Sequence, residues 1–158
     1  MTPSEYYSIT AIPTQADSSD GIRRIDRYSH FFDRYAVETF AKYFLREMHL
    51  GSLQFESTEH CTNRGSVPYV AYLFIHEATY IGACCFRLRE LENQATTWSM
   101  DWVWIHPFRR SQGHLSRAWP SLQTELGDFD VAKPTSNAMN AFLRKISHRA
   151  ATTQGENI

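Results

Sequence analysis

The sequence predicts a single α/β domain whose mixed, mostly antiparallel sheet carries helices on both faces. Three observations lead there. Residues 29–50 place apolar side chains at helical spacing, three β-rich runs follow one another between 67 and 106, and two more helical stripes flank a short strand after residue 113. A chain of 158 residues is one domain's length and can bury a core without a metal or disulfide staple. Residues 1–150 are expected to form the domain and 151–158 a frayed tail.

Residues 6–12 (YYSITAI) combine β-branched and aromatic types and read as a first strand. PTQADSSDG is a loop signal containing Pro13 and Gly21. From about Ser29 to Leu50, Phe32, Ala36, Phe40, Tyr43 or Phe44, and Met48 share one helical face, and Gly51 is placed to end the helix. Residues 51–66 are polar and irregular and receive no assignment. VPYVAYLFIH and TYIGACCFRLR, separated by Glu77-Ala78, read as a hairpin. TTWSMDWVWIH is apolar on both alternations, which predicts a central strand covered above and below. Alternation puts Trp98, Trp102, Trp104 and His106 on one face and Asp101 on the other. In HLSRAWPSLQTEL, Leu115, Trp119, Leu122 and Leu126 form a stripe, and Pro120 predicts a kink or a broken first turn. DFDVAK is a short strand stopped by Pro134, and SNAMNAFLRKISHR is a last helix with Ser136 or Asn137 as N-cap.

Composition excludes several classes. With 42% hydrophobic, 21% charged and 14% aromatic residues the chain is globular, and a net charge of −1 gives no global field for nucleic acid. No apolar run is long enough to span a bilayer. Three cysteines, two of them the adjacent Cys84 and Cys85, make no disulfide framework and suit a reducing cytoplasm. His60, Cys61, His76, Cys84 and Cys85 lack metal-ligand spacing, so no metal is expected. Arg23, Arg24, Arg27 and Arg34 alternate with Asp20, Asp26 and Asp33, the pattern of a solvated ion-pair face.

The chemistry concentrates between Asp101 and Trp119. A central strand runs into a loop with Arg109, Arg110 and Gly113, and a helix opens at once. Unpaired N–H groups at a helix start can cradle phosphate oxygens, with Gly113 permitting close approach and an arginine adding charge-assisted bonds.

Ile105-His106-Pro107 followed by Arg110-Ser111-Gln112-Gly113-His114-Leu115 resembles motif A of the GNAT N-acetyltransferases, a strand ending in V-x-P and then an R/Q-x-x-G-x-G/A loop. Tyr80-Ile81-Gly82-Ala83 is similar to the preceding strand pair of that family, and SNAMNAFLRKISH to its last helix. Leu115 stands where the motif has Gly or Ala, and Leu143 where many members place a tyrosine acid. Val103-Trp104-Ile105 and Lys133-Pro134-Thr135 also look similar to the cohesion-establishing lysine acetyltransferases. The resemblance implies acetyl transfer from acetyl-CoA to an amine. It assigns the backbone of Val103, Trp104 and Ile105 to the thioester arm, and the loop of Arg109, Arg110, Ser111, Gln112, Gly113, His114 and Leu115 to the pyrophosphate.

The amine must lose a proton, and Asp101, the lone ionisable side chain within WSMDWVWI, is the candidate base, with His106 second. Ser136, Tyr72 and Tyr80 are candidates for the acid that protonates the thiol. The expected partner is an amine acceptor, with protein lysine or N-terminus favoured over a small molecule and a homodimer left open. Tyr69, Tyr72, Tyr80 and Phe86 could line a lysine slot. Two alternatives stand beside the enzyme: an acetyl-CoA-binding protein without turnover, and a nucleic-acid or interaction module using the basic residues after Asp101.

Overall fold

The computed structural model describes residues 12–14, 19–49, 69–132 and 135–155, with side chains as far as Ser147. In chain order the elements are β1 (Ile12–Pro13), β2 (Gly21–Ile25), α1 (Phe31–Met48), β3 (Tyr69–His76), β4 (Thr79–Glu90), β5 (Thr96–Ile105), α2 (His114–Leu126), β6 (Asp130–Val131) and α3 (Asn137–Gly155). A 3₁₀ turn, Pro107–Arg109, links β5 to α2. The sheet runs β2-β3-β4-β5-β6, with β1 paired to the start of β4. Among the described residues only β5–β6 is parallel; the other pairs are antiparallel. The α/β class and the mixed sheet agree with the sequence reading.

Alternation along β3, β4 and β5 builds two apolar layers. One face packs Ala71, Leu73, Tyr80, Ala83, Cys85, Trp102 and Trp104 under Val37, Phe40 and Ala41 of α1. The opposite face packs Val70, Tyr72, Phe74, Cys84, Phe86 and Met100 against Trp119 and Leu122 of α2 and Met139 of α3. Cys84 and Cys85 therefore fall on opposite faces, and burial pushes both thiols up, away from reactive thiolate. The hairpin turn has positive φ at both Glu77 (49°) and Ala78 (57°), which matches the twist of the flanking strands.

Three features differ from the sequence reading, and one expectation lies outside the described residues. The expected first strand at 6–12 falls outside the described residues except for Ile12, which lies in β1. β2 has no sequence signal because Arg23 and Arg24 interrupt its apolar pattern, yet it pairs with β3 from Gly21 to Ile25. Pro120 lies inside α2 without ending it; its face is exposed, so the carbonyl left without a donor can be hydrated. The last helix was expected to stop near Arg149 and continues to Gly155, because Ala150 and Ala151 favour helix and no breaker intervenes before that glycine. Among the described residues no helix is long and apolar enough to cross a membrane.

Candidate active site

β5 and β6 share only two register pairs, Ser99↔Asp130 and Met100↔Val131, closed by Ala132 N–H donating to Met100 O at 2.9 Å. Beyond Met100 that edge of β5 has no strand neighbour among the described residues. On its other edge His106 N–H donates to Ile81 O at 2.7 Å. Antiparallel alternation then turns the peptide groups of Trp104 toward β4 and those of Val103 and Ile105 toward the open side. Of the three backbone positions named from the sequence, Val103 and Ile105 thus face the opening and Trp104 does not.

A β-bulge sits at the mouth. Cys85 pairs with Trp102 and Phe86 with Met100, so Asp101 is an extra residue without a partner on β4. The bulge resets the alternation. Trp98 and Met100 pack on the α2–α3 face, whereas Trp102 and Trp104 pack on the α1 face. The expectation that three tryptophans share a face is corrected by this one inserted residue. Asp101 joins the α1 face, where its Oδ2 lies 3.7 Å from Nε of Arg87.

A small cavity of about 30 Å³ opens at the split, lined by Phe44, Asp101, Trp102, Val103, Ser136 and Met139 among others. Its lining comes from both apolar layers, so the notch passes between the two sides of the sheet. Asp101 and Ser136, 35 positions apart in the chain, meet there. Burial raises the Asp101 carboxyl above its usual range, opposed by the charges of Arg87 and Arg89. Ser136 Oγ accepts from Met139 N–H at 3.1 Å as the cap of α3, which leaves its own O–H able to donate.

The other acid candidates lie elsewhere. Tyr72 O–H donates to Glu125 across the α2 side, and Tyr80 O–H donates to Asp33 at 2.7 Å on the α1 side. Burial raises both phenols further. Tyr72 and Phe86 belong to one layer and Tyr80 to the other, so the four-residue aromatic slot does not assemble. His106 Nδ1 accepts from Phe108 N–H at 3.2 Å and caps the 3₁₀ turn, outside the cavity lining.

Arg110 has a different employment from the one its motif position suggests. Its Nη1 and Nη2 donate to Glu47 at 2.7 and 2.6 Å, and its Nε donates to Ile105 O at 2.7 Å. Trp104 Nε1 adds a fourth bond, to the same Glu47 carboxylate, at 2.8 Å. Burial raises the Glu47 carboxyl, but the bonds and charge of Arg110 together with Trp104 outweigh it and hold the group below its usual range. This clamp ties α1 to the end of β5 and was invisible in the sequence, since Glu47 and Arg110 lie 63 positions apart.

The loop itself turns through two left-handed residues, Ser111 (φ 61°) and Gly113 (φ 83°), before α2 begins. A Cβ at Gly113 would come 2.8 Å from Nη1 of Arg117. Arg117, one of the basic residues of the nucleic-acid alternative, folds back so that Nη1 donates to Gln112 O at 3.0 Å and Nη2 lies 3.2 Å from His114 Nδ1. Gln112 Nε2 donates to Phe108 O at 3.1 Å, and Arg109 lies 3.8 Å from Glu77. Burial and the neighbouring Arg117 lower the His114 pKa, favouring the neutral ring. Leu115 packs into the α2–α3 layer, so its side chain is spent on the core. Leu143 does the same.

No protein-family model and no curated protein matches the sequence. Solved structures do. A ribosomal-protein-alanine N-acetyltransferase from Brucella melitensis biovar Abortus 2308 superposes with a TM-score of 0.54 at 12% identity, covering 78% of this chain and 88% of that one. An aminoglycoside acetyltransferase from an uncultured soil metagenomic sample, in complex with trehalose, gives 0.54 at 14% identity, covering 85% and 89%. The chain shares the fold of these acetyltransferases. The xEco2 acetyltransferase domain bound to a CoA conjugate shares that fold with a TM-score of 0.52 at 12% identity, covering 82% and 88%. Among the described residues no group of three or more His, Cys, Asp or Glu is placed to hold a metal.

Proposed function

We propose that the chain is an acetyl-CoA-dependent N-acetyltransferase. The observation that carries this reading is the meeting of Asp101 and Ser136 in one notch, at the split of a GNAT-fold sheet and beside an open backbone edge. The N–H and C=O of Val103 and the N–H of Ile105 suit the amide-bearing arm of acetyl-CoA, the Ile105 carbonyl being taken by Arg110, and the left-handed turn at Gly113 suits the first N–H groups of α2 to its pyrophosphate. Leu115 does not obstruct that loop, because it packs inward. When bound, acetyl-CoA supplies the activated acetyl group.

Asp101 takes the proton from the amine. Its raised pKa makes it a better base than an ordinary carboxylate, and the charges of Arg87 and Arg89 oppose that rise and favour the ionised form. Ser136 relays a solvent proton to the departing sulfur, giving its own hydroxyl proton as it takes one from water, through the O–H that its capping role leaves available. The nucleic-acid alternative loses support because Arg110, Arg109 and Arg117 are engaged with Glu47, Glu77 and the Gln112 carbonyl. The preference for a protein acceptor rested partly on Lys133-Pro134, which lies outside the described residues.

Calorimetry with acetyl-CoA tests the binding half. Gly113→Val forces a β-branched residue into left-handed backbone and against Arg117, and affinity should fall by about 10–100-fold. Binding unaffected by Gly113→Val contradicts the placement of the pyrophosphate. Binding without thiol release on any amine leaves a sensor and not an enzyme.

A further inference from the structure

The loop between β5 and α2 meets the β3–β4 hairpin through two histidines. The rings of His76 and His114 stand edge to face with centroids 5.1 Å apart. His76 is held from its own side: Nδ1 lies 3.1 Å from Asp20 Oδ2 and Nε2 lies 3.7 Å from Glu77. His114, the first residue of α2, has Nδ1 at 3.2 Å from Nη2 of Arg117. A guanidinium carries donors and no acceptor, so Nδ1 is the acceptor of that contact and must be unprotonated. The proton of the neutral ring then sits on Nε2, which is buried and meets no acceptor among the described residues. The same guanidinium donates through Nη1 to Gln112 O at 3.0 Å and lies 2.8 Å from where a Cβ on Gly113 would stand. Arg117 is thus strapped across the turn that opens α2, and His114 holds one end of the strap.

The surroundings of His114 are weighted toward positive charge. Arg117 faces it from α2, His76 from β3 and Arg109 from the 3₁₀ turn, against Asp20 ahead of β2. Glu77 of the hairpin turn is shared between His76 and Arg109, and Arg110 is turned away to Glu47. Burial first, and then these neighbours, favour the neutral ring. An anion brought to the loop offsets those charges and favours the protonated ring.

We propose that His114 is a proton switch on this loop: neutral, it straps Arg117 across Gly113; protonated, it releases Arg117, and acetyl-CoA binds with uptake of a proton. The inference rests on the placement of the pyrophosphate at this loop and adds a pH dependence to that same site. The proton comes from solvent and goes to Nδ1, which turns the acceptor of the Arg117 contact into a second donor. The contact is lost, and the freed guanidinium turns to the phosphate oxygens, where charge-assisted bonds replace the one to Gln112 O.

Calorimetry with acetyl-CoA, in buffers of different ionisation enthalpy, compares the native protein with His114→Asn, which keeps an acceptor for Arg117 and cannot titrate. The native protein should take up more proton than His114→Asn near the ordinary histidine range, and the two should agree in alkali. The ratio of native to His114→Asn affinity should rise by about 5-fold from about pH 8 to about pH 6. Equal proton uptake, or a ratio independent of pH, overturns the switch while leaving the acetyltransferase reading intact. In the free protein, the His114 imidazole resonance should titrate at higher pH in Arg117→Gln than in the native protein, because a neighbouring positive charge is gone. An unmoved titration takes Arg117 off His114 and also overturns the switch. Failure of acetyl-CoA to bind at any pH defeats the pyrophosphate placement itself, and the switch with it.

Discussion

The two ends of β5 carry the same chemical pairing with opposite consequences. At the Ile105 end, Arg110 and Glu47 form a closed, fully bonded clamp that also takes the Trp104 N–H. At the bulge, Arg87 and Asp101 stand apart, and Asp101 faces a cavity. Burial affects both carboxylates alike, yet Glu47 is lowered and Asp101 raised. Hydrogen bonding makes the difference: direct donors reward the ionised form at Glu47, whereas a charge at 3.7 Å without a bond does not recover the desolvation cost at Asp101. A carboxylate with direct donors is held ionised, and one with only a nearby charge stays raised beside the cavity.

The closed end should break most severely at Gly82, which pairs with Ile105. A Cβ there would sit 2.2 Å from Trp104 O and 2.8 Å from Ile105 Cα, both backbone atoms that cannot swing aside. Gly82→Ala should cost about 3 kcal/mol by denaturant unfolding, and an unchanged midpoint would remove the close approach from the account.

Glu47→Gln comes next. It keeps the shape and removes the charge that accepts three bonds of the clamp, so we expect a loss of about 2 kcal/mol and a melting temperature lower by about 4–8 °C. Because the Glu47 carboxyl is lowered in the fold, its contribution is present above the unfolded carboxylate range and fades as pH falls through the lowered value. The gap between the native protein and Glu47→Gln, followed by thermal melts, should therefore narrow in acid. The KM for acetyl-CoA should rise as the loop loosens.

The smallest effect on stability sharpens the contrast. Asp101 is raised, so the folded state holds its proton more tightly than the unfolded chain does. Its stabilising contribution is present below the unfolded pKa and lost as pH rises through the folded value. Asp101→Asn should consequently melt no lower than the native protein at pH 7, a difference opposite in sign to that of Glu47→Gln, and both differences should fade in acid. Melting well below the native protein at pH 7 would make Asp101 a structural residue.

Local signals made much of this legible. The Glu77-Ala78 hairpin, the two-faced β5, the opposed Cys84 and Cys85 and the Gly113 turn all follow from alternation or from positive φ. Asp101 stood out as the lone ionisable residue in an apolar strand. Three features did not show. The bulge at Asp101 is set by pairing register, which one strand cannot reveal, and it shifted Trp98 relative to Trp102. The Glu47 clamp and the Arg87 neighbour are contacts across distant segments, without local spacing to mark them. Nothing local separates Ser136 from Tyr72 and Tyr80, because the bonds of both tyrosines to Glu125 and Asp33 join distant segments.

The central claim is that Asp101 acts as the base of an acetyl transfer, and steady-state thiol release by Asp101→Asn tests it most directly. The account predicts a fall in kcat of about 10²–10⁴, the range of general-base catalysis, with acetyl-CoA affinity nearly unchanged and the acidic limb of the pH–rate profile abolished. Full turnover in Asp101→Asn, with that limb intact, would contradict it.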